Sequence, residues 1–535
     1  MSCIRYIIFL RHYLYRACDA RVPLAACLLV CFSCARFAPS PRTEADANAP
    51  ASFTLYDNAA PTPDRWWTAF QSPDLDALIE RALDDNLSLH QIAARLTQAE
   101  ALARQADAAL WPELDVTGDI SATRRRTTRD TSGATLDTAT QQLGALNTLL
   151  SGVSGDATTT GGSTRAAQSS LQAAQTLLAD APESRITTVS RSYRFGLASR
   201  YEVDLWGRVH ARRQATLLDL EATREDMYAA RLSLTGMVAR QWLTIAARRQ
   251  ELELVREQLA LNKQSLELIT LRFQNGLATA LDVYQQRQII TQTESLVPAL
   301  EEALEGAHHE LAVLLGRPPR DDIEISANKL PDPGPLPEPG VPADLLARRP
   351  DIRAAGLQLE AADWRVSAAR ADRLPSLRLT ASASYGAEEW GLLFDNWMAT
   401  LAGGVTGPVF DAGRRKAEVD RTRAVVDERL AAYRLKVLES VKEVESAMMR
   451  ESKQREYVGK LETERDTAQA TYEQARQRYM NGVIDYLPVL TALTQLQATE
   501  RRLLQAEYAS LERRIQLYVA LGGGWMEEEP PYPED

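Results

Sequence analysis

Arg272-Phe273-Gln274-Asn275-Gly276 ends one long helical pattern, and Arg478-Tyr479-Met480-Asn481-Gly482 ends another. Asn-Gly at the end of an apolar three-and-four spacing stops a helix and turns the chain back. The two stretches are copies. Gly276 and Gly482 stand 206 residues apart, as do Gly207 and Gly413 ahead of the helices and Gly316 and Gly522 after them. One register held over about 110 residues marks a duplication. The 535 residues therefore read as two halves of one elongated plan rather than several unrelated domains.

Behind Gly482 the helix carries Val426, Leu430, Tyr433, Val437, Val441, Val444 and Met448, with Glu, Lys, Arg and Gln between them. This is a coiled-coil-like seam with a wet outer face. Some 65 residues predict a rod on the order of 100 Å. The chain then returns along a second helix from about Asp485.

Ahead of each rod the period changes to two. Leu114, Val116, Gly118, Ile120 and Ala122 interleave with Asp115, Thr117, Asp119, Ser121 and Thr123. Tyr193, Phe195, Leu197, Tyr201, Val203 and Leu205 oppose Arg194, Arg200, Glu202 and Asp204. In the second half Leu377, Leu379, Ala381, Ala383 and Tyr385 share a face, and Trp397 to Phe410 reads as another strand. Half-exposed strands are expected at about 113–123, 192–206, 376–386 and 397–410. Helices before them, from Ser72-Pro73-Asp74 to Leu110 and from Ala343 to Arg373, stop at Trp111-Pro112 and Leu374-Pro375. Pro112 and Pro375 are 263 apart, so the first half holds 57 extra residues. That insert, about 124–190, is rich in Thr, Ser, Gly and Ala and reads as a surface loop with helical character at 171–179.

Strands of this length can cross a bilayer when tilted. The smallest membrane barrel needs about eight strands, and an open edge is not tolerated in lipid. Four strands per chain must therefore be pooled if they span a membrane. Three chains would pool twelve, and their long helices would continue the pore as a hollow helical cylinder. The other reading of the same pattern is a soluble sheet capped by coiled coil, as in a surface stalk.

A net charge of −11 argues against nucleic-acid binding. All five cysteines (Cys3, Cys18, Cys27, Cys31, Cys34) fall in the first 34 residues, which excludes a cysteine metal site and a disulfide framework from the body. His308-His309 is expected to be a solvated pair. No phosphate loop, metal cluster or nucleophile–base set is visible, so neither an enzyme nor a cofactor is expected. Arg5, Arg11, Arg16 and Arg21 precede the apolar run 22–33, which describes a secretory signal over 1–33. A cysteine closing that run makes Cys34 the expected lipid-bearing residue, with Cys27 as the alternative site and an unlipidated signal as the other reading.

Trp66-Trp67 through Asn86-Leu87-Ser88-Leu89, Ala108-Ala109-Leu110-Trp111-Pro112, Tyr201 through Arg208, Arg348-Arg349-Pro350-Asp351-Ile352, Arg373 through Leu377, Gly407 through Arg414 and Arg478 through Leu490 together resemble the TolC/OprM family of outer-membrane efflux proteins, in particular its NodT-like lipoprotein branch. The resemblance covers about 60–525. It implies a mixed fold, a membrane β-barrel plus a long α-helical barrel, in an internally duplicated, trimeric channel-tunnel. The parts would be a signal (1–33), a lipid-anchored tether (34–65), a first efflux repeat (66–329), a Pro-rich linker (330–342), a second repeat (343–525) and an acidic tail (526–535). It further implies a homotrimer in the outer membrane of a Gram-negative bacterium, in contact with outer-membrane lipid, with its helical barrel in the periplasm. There it would be the passive exit duct for small molecules or drugs, served by a periplasmic adaptor and an inner-membrane pump of RND type. A tunnel for type I protein secretion is the alternative within the fold, and a non-pore coiled-coil surface protein the alternative outside it.

By position, the resemblance assigns tip and adaptor contacts to Arg272, Gly276 and Asp282, and to Arg478, Tyr479, Gly482, Tyr486, Leu487, Val489 and Leu490. Family members often carry an acid just after the Val-Leu of the second tip. Here Thr491 stands in that place and Pro488 in an earlier acidic one, leaving Asp485 the only nearby carboxylate. The gate is accordingly expected at Asp485 and Thr491, sealed mainly by apolar packing.

Overall fold

The computed structural model describes residues 37–40, 65–129, 134–153, 184–319 and 349–523, with scattered positions within 166–173 and 323–348. The expected signal, both candidate anchor cysteines and the acidic tail lie outside the described residues. In chain order the elements are α1 (Pro73–Asp85), α2 (Leu87–Ala108), β1 (Glu113–Arg129), α3 (Ala134–Val153), β2 (Ser184–Val203), α4 (Arg208–Gln274), α5 (Ala280–Leu314), α6 (Pro350–Ala371), β3 (Ser376–Ala387), β4 (Trp397–Thr406), α7 (Arg414–Met480) and α8 (Tyr486–Ala520). They form two units. One is helical (Met1–Leu110, Asp204–Pro375, Gly407–Asp535) and the other is built on the sheet (Trp111–Val203, Ser376–Thr406).

In the helical unit the duplication holds to the residue: α4 and α7 have 67 residues each, α5 and α8 have 35 each. At 1.5 Å per residue each long helix runs about 100 Å. α4 packs on α5, α6 and α8, and α7 packs on α6 and α8. Along α7, Val426, Val437, Val444 and Met448 are buried while most of the charged positions between them are exposed, Arg434, Lys436 and Glu445 being half-buried. The single helix expected from Ser72 to Leu110 is broken at Asn86. Its side chain accepts from the Leu89 N–H at 2.9 Å, capping α2, and its amide donates to the Leu314 carbonyl at 2.8 Å. The core gathers around Trp66, which stacks on Tyr518 (centroids 5.6 Å apart) and donates its indole N–H to Thr235 Oγ1 at 3.3 Å. Trp67, Phe70, Leu75 and Ile79 are buried beside it against Val238, Leu243 and Leu311. His308 is half-buried, with Nε2 3.4 Å from the Arg249 guanidinium, whereas His309 is exposed, so the expectation of a solvated pair holds for His309 and is corrected for His308.

In the second unit the sheet order is β1-β2-β3-β4, antiparallel throughout. The register brings Val116, Leu197, Ala383 and Ala399 across one row, and Leu114, Ser199, Ala381 and Leu401 across the next. Because opposed residues share a face, one side of the four-stranded part is largely apolar, with Ser199 the polar exception in these two rows. The other carries Asp115, Thr117, Arg194, Ser382 and Thr400. Strand limits differ from expectation: β1 runs on to Arg129, β2 begins at Ser184 and ends at Val203, β3 reaches Ala387, and β4 stops at Thr406. The insert between β1 and β2 is therefore shorter than 124–190. Its described helix is α3; the helical character expected at 171–179 falls almost wholly outside the described residues.

Candidate functional site

The two helix-hairpin turns are built alike. Asn275 and Asn481 close α4 and α7, and Gly276 and Gly482 follow at φ 70° and 71°. Each glycine N–H donates to the carbonyl three residues back (Phe273, Tyr479), and the next N–H donates to Arg272 or Arg478. This satisfies the helix-end carbonyls through a left-handed position that glycine enters without strain. The re-entries differ. α5 starts with a capping box, in which the Thr279 hydroxyl accepts from the Asp282 N–H and the Asp282 carboxylate accepts from the Thr279 N–H at 2.8 Å. The equivalent positions of the second hairpin are Asp485 and Pro488. Asp485 precedes α8 with no side-chain cap bond, and Pro488 sits in the first turn, where a missing N–H costs nothing.

Between the turns lies a closed apolar cluster of Ile269, Val283, Tyr479, Tyr486, Val489 and Leu490. The Tyr479 and Tyr486 rings are 5.4 Å apart, and the Arg272 guanidinium lies 4.6 Å above the Tyr479 ring. That cation–π contact contributes on the order of 1 kcal/mol. The Tyr486 hydroxyl donates to Gln286 Oε1 at 2.6 Å, and Gln286 donates to the Asn262 carbonyl at 2.8 Å. Asn262 and Gln497 then bond amide to amide, and Gln258 donates to the Gln497 carbonyl. A buried polar ladder thus ties α4, α5 and α8 together above the tip. Burial, then the neighbouring Tyr479, Tyr472 and Asp282, pushes the Tyr486 phenol well above its ordinary range, so it stays a neutral donor.

The expected tip residues therefore divide. Tyr479, Tyr486, Val489 and Leu490 face the interior of one chain's own hairpin pair, and Arg272 and Asp282 are half-buried over it. Arg478, Leu487, Asp485 and Thr491 are exposed, with the Thr491 hydroxyl turned back to the Leu487 carbonyl at 2.9 Å. Sequence reading passed over Leu277, Leu281, Tyr284 and Val483, all more than 60 % exposed. The duplication itself carried the signal: Leu277 and Val483, and Leu281 and Leu487, stand at equivalent places, so each turn shows a matched apolar pair to solvent. Among the described residues no group of three or more metal-ligating side chains converges. No described helix is long and apolar enough to cross a membrane.

The family model for outer membrane efflux proteins matches residues 186–317 and 341–523. The pyoverdine export outer membrane protein OpmQ of Pseudomonas putida is 31% identical over 515 residues, covering 95% of this chain and 98% of that one. The toluene efflux pump outer membrane protein TtgF of Pseudomonas putida is 30% identical over 465 residues, with coverages of 86% and 85%. The solved outer-membrane channel OprN superposes with a TM-score of 0.74 at 25% identity, covering 91% of this chain and 99% of that one. The chain belongs to the outer membrane efflux protein family and is an outer-membrane efflux channel component.

Proposed function

We propose that three copies of this chain pool their sheets into a twelve-stranded barrel in the outer membrane and their long helices into a periplasmic tunnel. The duct is passive. It releases small molecules delivered by an inner-membrane pump of RND type through a periplasmic adaptor. The observation that carries this reading is the four-stranded part of the sheet, largely apolar on one face and largely polar on the other, with β1 and β4 left as edges within the chain. Such edges cannot stand in lipid unpaired, and β4 has ten residues, a bilayer crossing at a tilt. Small-molecule cargo fits relatives named for pyoverdine export and toluene efflux rather than for protein secretion. The exposed Leu277, Leu281, Val483 and Leu487 offer the adaptor an apolar contact at each turn. The gate combines the apolar tip packing with Asp485 and Thr491 at the pore side, and Cys34 carries the lipid.

Planar-bilayer conductance of the detergent-extracted protein, with its mass measured alongside, tests the assembly. Small stable channels from a trimer-sized particle are expected. A monomer or dimer without conductance overturns the pooled barrel.

A further inference from the structure

The β1–β2 ribbon outruns its sheet. The last pair of β2 with β3 is Tyr193 with Ala387, yet β1 and β2 stay paired as far as Arg129 and Ser184. The nine residues 184–192 thus carry a two-stranded ribbon roughly 30 Å past β3. Residues 120–129 and 184–193 include Arg124, Arg125, Arg126, Arg129, Arg185 and Arg191, and no Asp or Glu.

Period two sorts these cations by face. Ala122, Arg124 and Arg126 continue the apolar side that holds Val116 and Ile120, and Arg191, opposite Ala122, shares it. Arg125 continues the polar side. Arg124 and Arg126 are about 7 Å apart along the strand, and Arg191 is diagonal to Arg124 at about 7–8 Å. All three are exposed, and none pairs with a carboxylate among the described residues. Like charges so placed repel one another, and a guanidinium fork matches phosphate oxygens two at a time. On the sheet side of this trio, Tyr193 and Trp390 meet edge to face at 5.4 Å. Amphipathic rings at the rim of an apolar barrel face sit at headgroup depth. Arg191, Arg124 and Arg126 stand two, four and six strand positions beyond Tyr193 on the same outward face, about 7, 13 and 20 Å along the ribbon, and so project outward past the apolar band on the lipid side and not into the lumen.

We infer that Arg124, Arg126 and Arg191 form an outward site for phosphate groups on outer-leaflet lipid headgroups, pinning the ribbon to the membrane surface. The inference rests on the barrel reading above, which sets this face toward lipid.

The full chain in dodecyl maltoside micelles is titrated with micelles doped with bis-phosphorylated lipid A, and retained lipid is counted after gel filtration. R124Q/R126Q/R191Q is expected to raise the half-saturating concentration about tenfold, whereas R125Q/R194Q on the opposite face leaves it unchanged. Dephosphorylated lipid A should bind all three proteins equally weakly. Equal retention by the triple variant and wild type overturns the site, as does an equal loss in R125Q/R194Q. Displacement of lipid A by inorganic phosphate at the same concentration overturns it too, by assigning the arginines to a free anion. Each preparation is also tested for channels. If wild type and triple variant both conduct while retaining lipid equally, only this inference fails. If wild type forms no trimer and no channel, the barrel reading fails first.

Discussion

Two tyrosines seven positions apart carry opposite instructions. The Tyr479 hydroxyl is buried and has no hydrogen-bond partner within the described chain, whereas the Tyr486 hydroxyl is spent on Gln286. An orphaned buried hydroxyl costs about 1–3 kcal/mol, and so does stranding a buried partner. Tyr479→Phe keeps the ring beneath Arg272 and should stabilise the helical unit by about 1 kcal/mol. Tyr486→Phe leaves Gln286 Oε1 unpaired and should cost about 1–3 kcal/mol. Calorimetric unfolding of both variants against wild type checks the pair. If the two shift stability in the same direction, the hydrogen-bond assignment at the tip is wrong.

At the scale of elements, α6 is clasped to α7 by an ion-pair cluster centred on one carboxylate, Asp351. Asp351 accepts from Arg349 at 2.8 Å and from Lys436 at 2.8 Å, and Arg349 also reaches Glu443 at 2.7 Å. Burial alone would raise the Asp351 carboxyl, but Arg349 and then Lys436 outweigh it and hold it at about 2. A carboxyl depressed below its unfolded value stabilises above that value, near 3.8, and the contribution is lost as pH falls through about 2. Asp351→Asn should therefore cost on the order of 2 kcal/mol at pH 6 and almost nothing near pH 2, read from denaturant melts of variant and wild type at both values. An equal cost at both pH values would remove the clasp from the account.

How far these elements could be read from sequence depended on what made each one. The helix rods and turns were legible because spacing and Asn-Gly are local signals. The outer half of the β1–β2 ribbon was not. Arg124 to Arg129 shows no apolar alternation, and its extension comes from pairing with a distant strand. α3 was hidden by its Gly, Ser and Thr surroundings, and the break at Asn86 by helical patterning on both sides of it. At the helix-hairpin turns, the turn itself was legible but the side-chain directions were not: Tyr486 and Leu487 are neighbours, and only the first turns inward.

For the whole molecule the faces of the sheet matter more than its strands. Leu401 lies mid-strand on the apolar face, 81% exposed in the single chain, while neighbouring Thr400 lies on the polar face across from Ser382. Exposure of that kind across four strands is untenable in water but required against lipid. The same charge placed one residue apart should then have opposite consequences. In the proposed barrel, Leu401→Arg would set a guanidinium near the bilayer midplane at a cost of about 2–4 kcal/mol per chain, repeated in each copy. Thr400→Arg would face the lumen of that proposed barrel at little cost, changing ion selectivity rather than assembly. The heat-modifiable trimer on a detergent gel reads the first effect, and reversal potentials under a salt gradient read the second. If Leu401→Arg assembles as well as wild type while Thr400→Arg does not, the apolar face is the inner one, and both the barrel's orientation and the lipid-facing arginines would have to be reassigned.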